Sequence, residues 1–275
     1  MLQLMILPFL ACLVLTGIHA YLGMHIIKRE VIFVDLALAQ IAALGAVVAF
    51  LFGIELHTMN AYIFSMVFTF FGATIFALTR LKKKEVPQEA IIGIVYAVTA
   101  AASILVLSKA PMESEHLKDM LVGNILFVKE SHILKMLVLY SIIGIFHYIY
   151  RKNFFAVSDG RDKAVKQKIN VRWWDFLFYA SLGVVVTSSV EIAGVLLVFS
   201  YLIVPAVCAI MITDNLKARL FIGWAIGTVT SLIGLYLSAT YDFPTGAAIV
   251  CAFGMVLILI WPTTILFKKI TVYGN

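Results

Sequence analysis

The chain has 275 residues, of which 63% are hydrophobic and 13% charged, with a net charge of +6 and a mean hydropathy of +1.03. A soluble domain of this length is about half apolar and a quarter charged, so the composition excludes a soluble enzyme or binding module. The basic excess has no solvated face to occupy, which excludes nucleic-acid binding. Cys12, Cys208 and Cys251 are scattered through apolar stretches and form no spaced pair, so no disulfide framework or thiolate metal site is implied.

Apolar runs of the length that crosses a bilayer recur along the whole chain. They predict nine spans, at 4–27, 31–53, 58–80, 88–108, 132–151, 174–190, 192–213, 219–239 and 245–267. The fold class is therefore all-α: a polytopic transmembrane helix bundle in which residues 1–275 form a single membrane domain. The first run is preceded by no Lys or Arg, so it lacks the positive start of a signal peptide and is read as a span. It carries His19 and His25, six apart and therefore not on one face.

Span two opens with Asp35 and carries Gln40 deeper, beside the small residues Ala39, Ala42 and Ala43. The loop after it holds Glu55 and His57. Leu117–Val128 is too short to cross and is read as a re-entrant or surface helix, near His116, Glu113, Glu115 and Asp119. Arg151–Arg172 is the largest basic loop, followed by Trp173, Trp174 and Tyr179, read as an interfacial belt. From Phe176 to Thr213 the chain is apolar, with only Ser188, Ser189 and Glu191 to mark a turn between spans six and seven; two spans with a tight outer turn fit, and so do interrupted helices that meet below the surface. Gly223 and Gly227 place small residues on one face of span eight, a packing or subunit-contact signal.

All Lys and Arg except Lys109, Lys118, Lys129 and Lys135 fall on alternate loops, together with the segment after the last span. The other set of loops holds Glu55, Glu113, Glu115, Asp119, Glu130 and Asp242. The positive-inside rule then places the N-terminus outside and the C-terminus in the cytoplasm.

Several polar residues inside the apolar runs are candidates for a transport path, because a charge in a bilayer marks a pathway or a tight turn. Glu191 is read as a turn residue or as a weak carboxylate ligand for a cation that must also leave. Asp35 is a path residue or a boundary residue beside Lys28 and Arg29. Gln40 is a path residue or an interhelical hydrogen-bonding group. His19 is a ligand or an ordinary hydrogen-bonded histidine. Pro205, in the middle of span seven, must be tolerated by neighbours that satisfy the carbonyl it frees.

No phosphate-binding loop, zinc-protease helix, nucleophile elbow or Gly-rich dinucleotide motif is present. In the loop 151–172, Asp159 is expected to cap a short helix from Gly160 to Lys168, with Ala164 as its small residue. That loop is either a solvated basic segment or a helix docked on a cytosolic motor.

Four stretches resemble the membrane permeases of the zinc, manganese and iron ABC importers, type II importers related to the siderophore and vitamin B12 permeases. They are GVLLVFSYLIVPAVCA from Gly194 to Ala209, which includes Pro205; LYLSATYDFPTG from Leu235 to Gly246, which holds Asp242, Pro244 and Gly246; KREVIFVDLALAQIAALG from Lys28 to Gly45; and Asp159–Lys168. The likeness runs from about residue 15 to residue 265. It implies that Gly45, Gly194, Pro205, Asp242, Pro244 and Gly246 are structural. It also implies that Asp159, Gly160, Ala164 and Lys168 belong to a coupling helix, where the family carries a small Ala and, four residues on, a Gly.

The departures lie in span two, where the family's Asp falls on Leu36 and its His on Gln40, with a carboxylate one residue earlier at Asp35. The resemblance implies a divalent metal as cargo, moved by alternating access. The substrate-path candidates are Glu191, Gln40, Asp35 and His19, with Glu191 and Asp35 as the candidate metal ligands. The resemblance further implies a homodimer in membrane lipid, a cytosolic ABC ATPase subunit, and an extracytoplasmic solute-binding protein. No cofactor is expected on this chain, and ATP is expected on the partner subunit. The alternatives are a permease for a metal chelate or other small solute, and a non-ABC protein such as a secondary carrier.

Overall fold

The computed structural model describes residues 2–55, 58–80, 86–107, 123 and 125–273. Its helices are α1 (Leu2–Arg29), α2 (Val34–Leu51), α3 (Met59–Thr79), α4 (Gln88–Leu107), α5 (Glu130–Ile149), α6 (Arg151–Ser158), α7 (Arg161–Lys166), α8 (Val171–Ala193), α9 (Val195–Ile212), α10 (Leu216–Tyr241) and α11 (Thr245–Tyr273). Among the described residues, nine helices are long and apolar enough to cross a membrane, α6 and α7 being the short exceptions. In the Leu117–Val128 segment, residues 123 and 125–128 are described and hold a single 3-10 turn, Ile125–Phe127; 117–122 and 124, with His57, His116 and their neighbouring acidic residues Glu113, Glu115 and Asp119, lie outside the described residues.

The chain folds as two compact units. The first comprises Met1–Ile27, Val122–Leu137 and Ile192–Asn275, and the second Lys28–Leu121 and Val138–Glu191.

In the first unit, small residues bring the helices together. A Cβ on Gly23 of α1 would fall 1.8 Å from the Leu202 carbonyl oxygen of α9. Gly223 and Gly227 of α10 face Ala20 and Thr16 of α1, so this small-residue face is spent within the chain. Gly234 closes α10 onto Ile249 of α11. Tyr201 on α9 is fully buried and bonds Ser231 of α10 at 2.5 Å. Pro205 is buried within α9.

The turn between α10 and α11 follows the DFPTG stretch. Asp242 ends α10 in the left-handed region at φ 55°. Ser238 Oγ donates to the Phe243 carbonyl at 2.8 Å and lies 2.8 Å from Thr245 Oγ1. Pro244 stands directly before the first helical residue, where its missing N–H costs nothing, and Gly246 is buried in the first turn of α11.

In the second unit, Gly45 lets α2 lie against α3, because a Cβ there would meet Phe64 O at 2.8 Å and the Ser65 Cα at 2.9 Å. Gly183 of α8 accommodates Thr69 of α3, and Thr69 bonds Thr187 at 3.2 Å. Tyr140 of α5 reaches Ser188 at 3.2 Å and Ser189 at 2.5 Å.

The structure corrects the expected turn at Ser188–Glu191. All of those residues are helical, and the serine hydroxyls return to the Val185 carbonyl at 2.9 and 2.7 Å. The break is Gly194 alone, at φ 78°, a conformation that costs glycine nothing. Gly123, at φ 65°, packs against this break so closely that a Cβ would lie 2.2 Å from Gly194 N. Tyr179 is a second correction: it is fully buried, edge-on to Phe76, rather than part of an interfacial belt. Its neighbour Trp173 is 54% exposed, as an interfacial residue would be.

Candidate coupling and transport sites

The basic end of the second unit carries the two short helices. Gly160, at φ 134°, separates α6 from α7 and stands at the N-cap of α7 with no side-chain cap. Asp159 therefore does not cap the following helix, as the spacing suggested. It closes α6, and its carboxylate accepts from Lys28 Nζ at 2.6 Å. An ammonium offers a charge-assisted bond, a stronger attractor for a carboxylate than an open backbone amide.

Ala164 is fully buried in an apolar seat with Val157 and Val171, against Ile169 and Trp174. Ala164 thus seats the helix, while Lys163, Val165, Lys166 and Gln167 face outward, Val165 at 57% exposure. The pair is an amphipathic knob whose outer face is basic with an apolar centre.

The end of α7 is a Schellman motif. The Ile169 amide donates to the Ala164 carbonyl at 3.0 Å and the Lys168 amide to the Val165 carbonyl at 2.9 Å, with Ile169 packed on Ala164. Lys168 occupies the left-handed position at φ 57°, where a side chain costs about 1 kcal/mol. This is the position at which the resembling family carries glycine. Lys168→Gly is expected to stabilise the fold by about 1 kcal/mol, raising the melting temperature in detergent by about 2–4 °C. An unchanged or lower melting temperature would count against the strain.

Behind the short helices lies a buried ion cluster that sequence reading did not anticipate. Asp175 Oδ1, in the first turns of α8, accepts from Arg29 Nη1 and Arg80 Nη1, each at 2.6 Å. The side chains of Asp175 and Arg29 are fully buried, and that of Arg80 is 18% exposed. Arg29 also donates through Nε to Ser158 Oγ at 2.8 Å and lies 3.9 Å above the Phe178 ring. Arg161 Nη1 donates to the Arg80 carbonyl at 3.1 Å. His147 stacks on Phe154 at 4.0 Å and bonds Ser181 Oγ at 2.8 Å, which ties α5 to α6 and α8. Charged residues at the ends of the first and third apolar runs and at the start of the sixth, Arg29, Arg80 and Asp175, were the available signal.

The residues singled out for a path are spread over the two units. In the second, Asp35 is buried in the first turn of α2 and Gln40 is half-buried further along. Lys28 and Arg29 pair with Asp159 and Asp175, so they do not neutralise Asp35. Asp35 Oδ1 and Glu89 Oε2 are buried without a hydrogen-bond partner among the described residues, while Glu89 Oε1 accepts from the Phe33 amide at 2.9 Å. Gln40 Nε2 approaches Ser103 Oγ of α4 at 3.4 Å, a long interhelical contact. Glu191 is exposed in the last turn of α8, and Tyr62 of α3 stands within electrostatic range of it. In the first unit, His19 is fully buried and its Nδ1 donates to the Leu15 carbonyl at 2.8 Å. Among the described residues no group of three or more His, Cys, Asp or Glu gathers to hold a metal ion.

The sequence profile of the ABC 3 transport family matches residues 1–263. The chain belongs to that family. The manganese transport system membrane protein MntC of Listeria innocua is 26% identical over 233 residues, covering 85% of this chain and 81% of its own. The chelated iron transport system membrane protein YfeC of Yersinia pestis is 27% identical over 173 residues, 63% of this chain and 57% of its own. Among solved structures, PsaBC from Streptococcus pneumoniae in complex with Fab superposes with a TM-score of 0.75 at 20% identity, over 94% of this chain and 91% of that one, which shows the shared fold. With nine membrane-length apolar helices among the described residues, the chain is a multi-pass inner-membrane permease of the ABC class, and the non-ABC alternative is left without support.

Proposed function

We propose that this chain is the membrane subunit of a divalent-metal importer, carrying manganese, iron or zinc into the cytoplasm by alternating access. The observation that carries the reading is family membership over nearly the whole chain, supported by a relative named for manganese transport. In this reading two copies form the path in the bilayer. A separate ATPase subunit binds and hydrolyses ATP, docks on the outward face of α7, and meets Lys163, Val165, Lys166 and Gln167 there. A solute-binding protein delivers the cargo on the opposite side of the membrane. The N-terminus lies outside, which sets the basic ends of the helices, with α6 and α7, in the cytoplasm. Glu191 then stands at the receiving side, an exposed carboxylate able to bind a divalent ion weakly and release it.

The test is whole-cell manganese, iron and zinc in a metal-starved strain lacking the gene, complemented with the wild-type chain or with Glu191→Ala. The wild type is expected to restore a deficit in one metal. Glu191→Ala is expected to restore about a tenth as much at equal membrane abundance, the loss that follows one weakened carboxylate contact. A fully restoring variant removes Glu191 from the path. No deficit in any metal favours a chelate as cargo, a reading motivated by Leu36 and Gln40 standing where the resembling family has Asp and His, and by the relative named for chelated iron. Competition for uptake by chelates against free ions separates the two.

A further inference from the structure

We propose that the buried Arg29–Asp175–Arg80 cluster is the linkage through which the α6–α7 knob moves the ends of α1, α3 and α8, with Ser158 as the positioning residue that engages it. The proposal rests on the permease reading above.

The apolar seat of the knob, Val157, Ala164, Ile169, Val171 and Trp174, joins it to the start of α8. Its connections to α1 and α3 are of a different kind and run through cationic side chains. Arg29 Nε donates to Ser158 Oγ at 2.8 Å, Arg161 Nη1 donates to the Arg80 carbonyl at 3.1 Å, and Lys28 pairs with Asp159 at 2.6 Å. The Lys28 pair is partly exposed, with side chains 27% and 36% accessible, so solvent can replace it at little cost.

The Arg161 bond is part-buried, whereas the Arg29–Ser158 bond ends on a side chain that solvent cannot relieve. Arg29 and Asp175 are fully buried, and a buried charge separated from its partner is strongly unfavourable. The ion cluster therefore behaves as a rigid piece. Displacing α6 either carries Arg29, Asp175 and Arg80 along or breaks the Ser158 bond. Because Arg29 ends α1, Arg80 follows α3 and Asp175 begins α8, a shift of the knob reaches three membrane helices at once. Ser158 is only 2% exposed, so it lies off the docking face and its replacement leaves that face intact.

The experiment uses the complete complex, the tagged chain copurified with its ATPase subunit and reconstituted in liposomes. It reads metal moved per ATP hydrolysed, with the ion that the deletion strain lacks as the probe. Ser158→Ala is expected to lower that ratio about tenfold, the equilibrium value of one hydrogen bond to a charged group. Ser158→Thr, which keeps the hydroxyl, is expected to restore it to within about twofold, since the retained bond keeps most of that value. An unchanged ratio in Ser158→Ala overturns the proposal. So does a parallel fall of transport and hydrolysis that tracks the amount of assembled complex, because that is the signature of a purely structural contact. Absence of ATP-driven uptake by the wild-type complex, with ions and chelates alike, removes the permease reading itself and the linkage with it.

Discussion

Asp175→Ala is expected to destabilise the second unit by about 3–5 kcal/mol, the cost of removing one partner from a buried ion pair. Two guanidinium groups converge on a single carboxylate oxygen at 2.6 Å each, and the Arg29 side chain has no exposed surface through which water could take over. Without Asp175 the cluster holds two like charges, one of them a fully buried side chain left without its partner, which is strongly unfavourable. Asp159→Ala makes the contrast. It removes an ion pair of the same length, but one that is partly exposed, and its cost is expected to stay below about 1 kcal/mol. Thermal unfolding in detergent, with membrane abundance alongside, checks both. The double variant Arg29→Met with Asp175→Leu is expected to recover more than half of the loss, because apolar side chains of similar volume replace a buried pair at little cost and Arg80, 18% exposed, can turn to solvent. Asp175→Ala melting like the wild type would mean that the cluster is hydrated.

The number of membrane helices was legible because hydropathy reports it directly: a backbone inside a bilayer has to satisfy its own hydrogen bonds, so each crossing needs a full apolar run. The α8–α9 boundary was misread for a related reason. Ser188, Ser189 and Glu191 look like a turn because they are polar, yet serine hydroxyls can return to carbonyls of their own helix, as both do to Val185. The residue that ends the helix is Gly194, chosen by its backbone angle and not by polarity. Asp159 misled in the same way. A cap is inferred from neighbours in sequence, whereas its partner Lys28 lies 131 positions away. The Arg29–Asp175–Arg80 cluster joins three segments distant in sequence, and no local pattern announces such a meeting. Lys168 ran in the other direction: the resemblance marked it as a glycine position, and the Schellman geometry at φ 57° supplies the physical reason. For the path residues the sequence supplied residue types. The fold supplies burial, which separates Asp35 and His19, both enclosed, from Glu191, which is exposed.

Two glycines six positions apart on α1 are expected to respond in opposite senses to the same methyl group. At Gly23 a Cβ would lie 1.8 Å from the Leu202 carbonyl oxygen, 2.9 Å from its carbon and 3.1 Å from the Ala206 Cβ. The obstacle is helix backbone, which cannot swing aside as a side chain can, so α1 and α9 must separate. Gly23→Ala is therefore expected to cost at least the 1–3 kcal/mol typical of overpacking, roughly, and to lower the melting temperature by several degrees. At Gly17 a Cβ would meet nothing within 4 Å. The bond from Trp224 Nε1 to that residue goes to its main-chain carbonyl, at 3.0 Å, and survives the change. With no steric cost, Gly17→Ala retains only the gain in helix propensity, about 0.5–1 kcal/mol, and the melting temperature should stay level or rise. The pair isolates the close approach from propensity, since propensity alone would raise both. Equal responses at the two sites would mean that α1 does not press on the Leu202 carbonyl of α9.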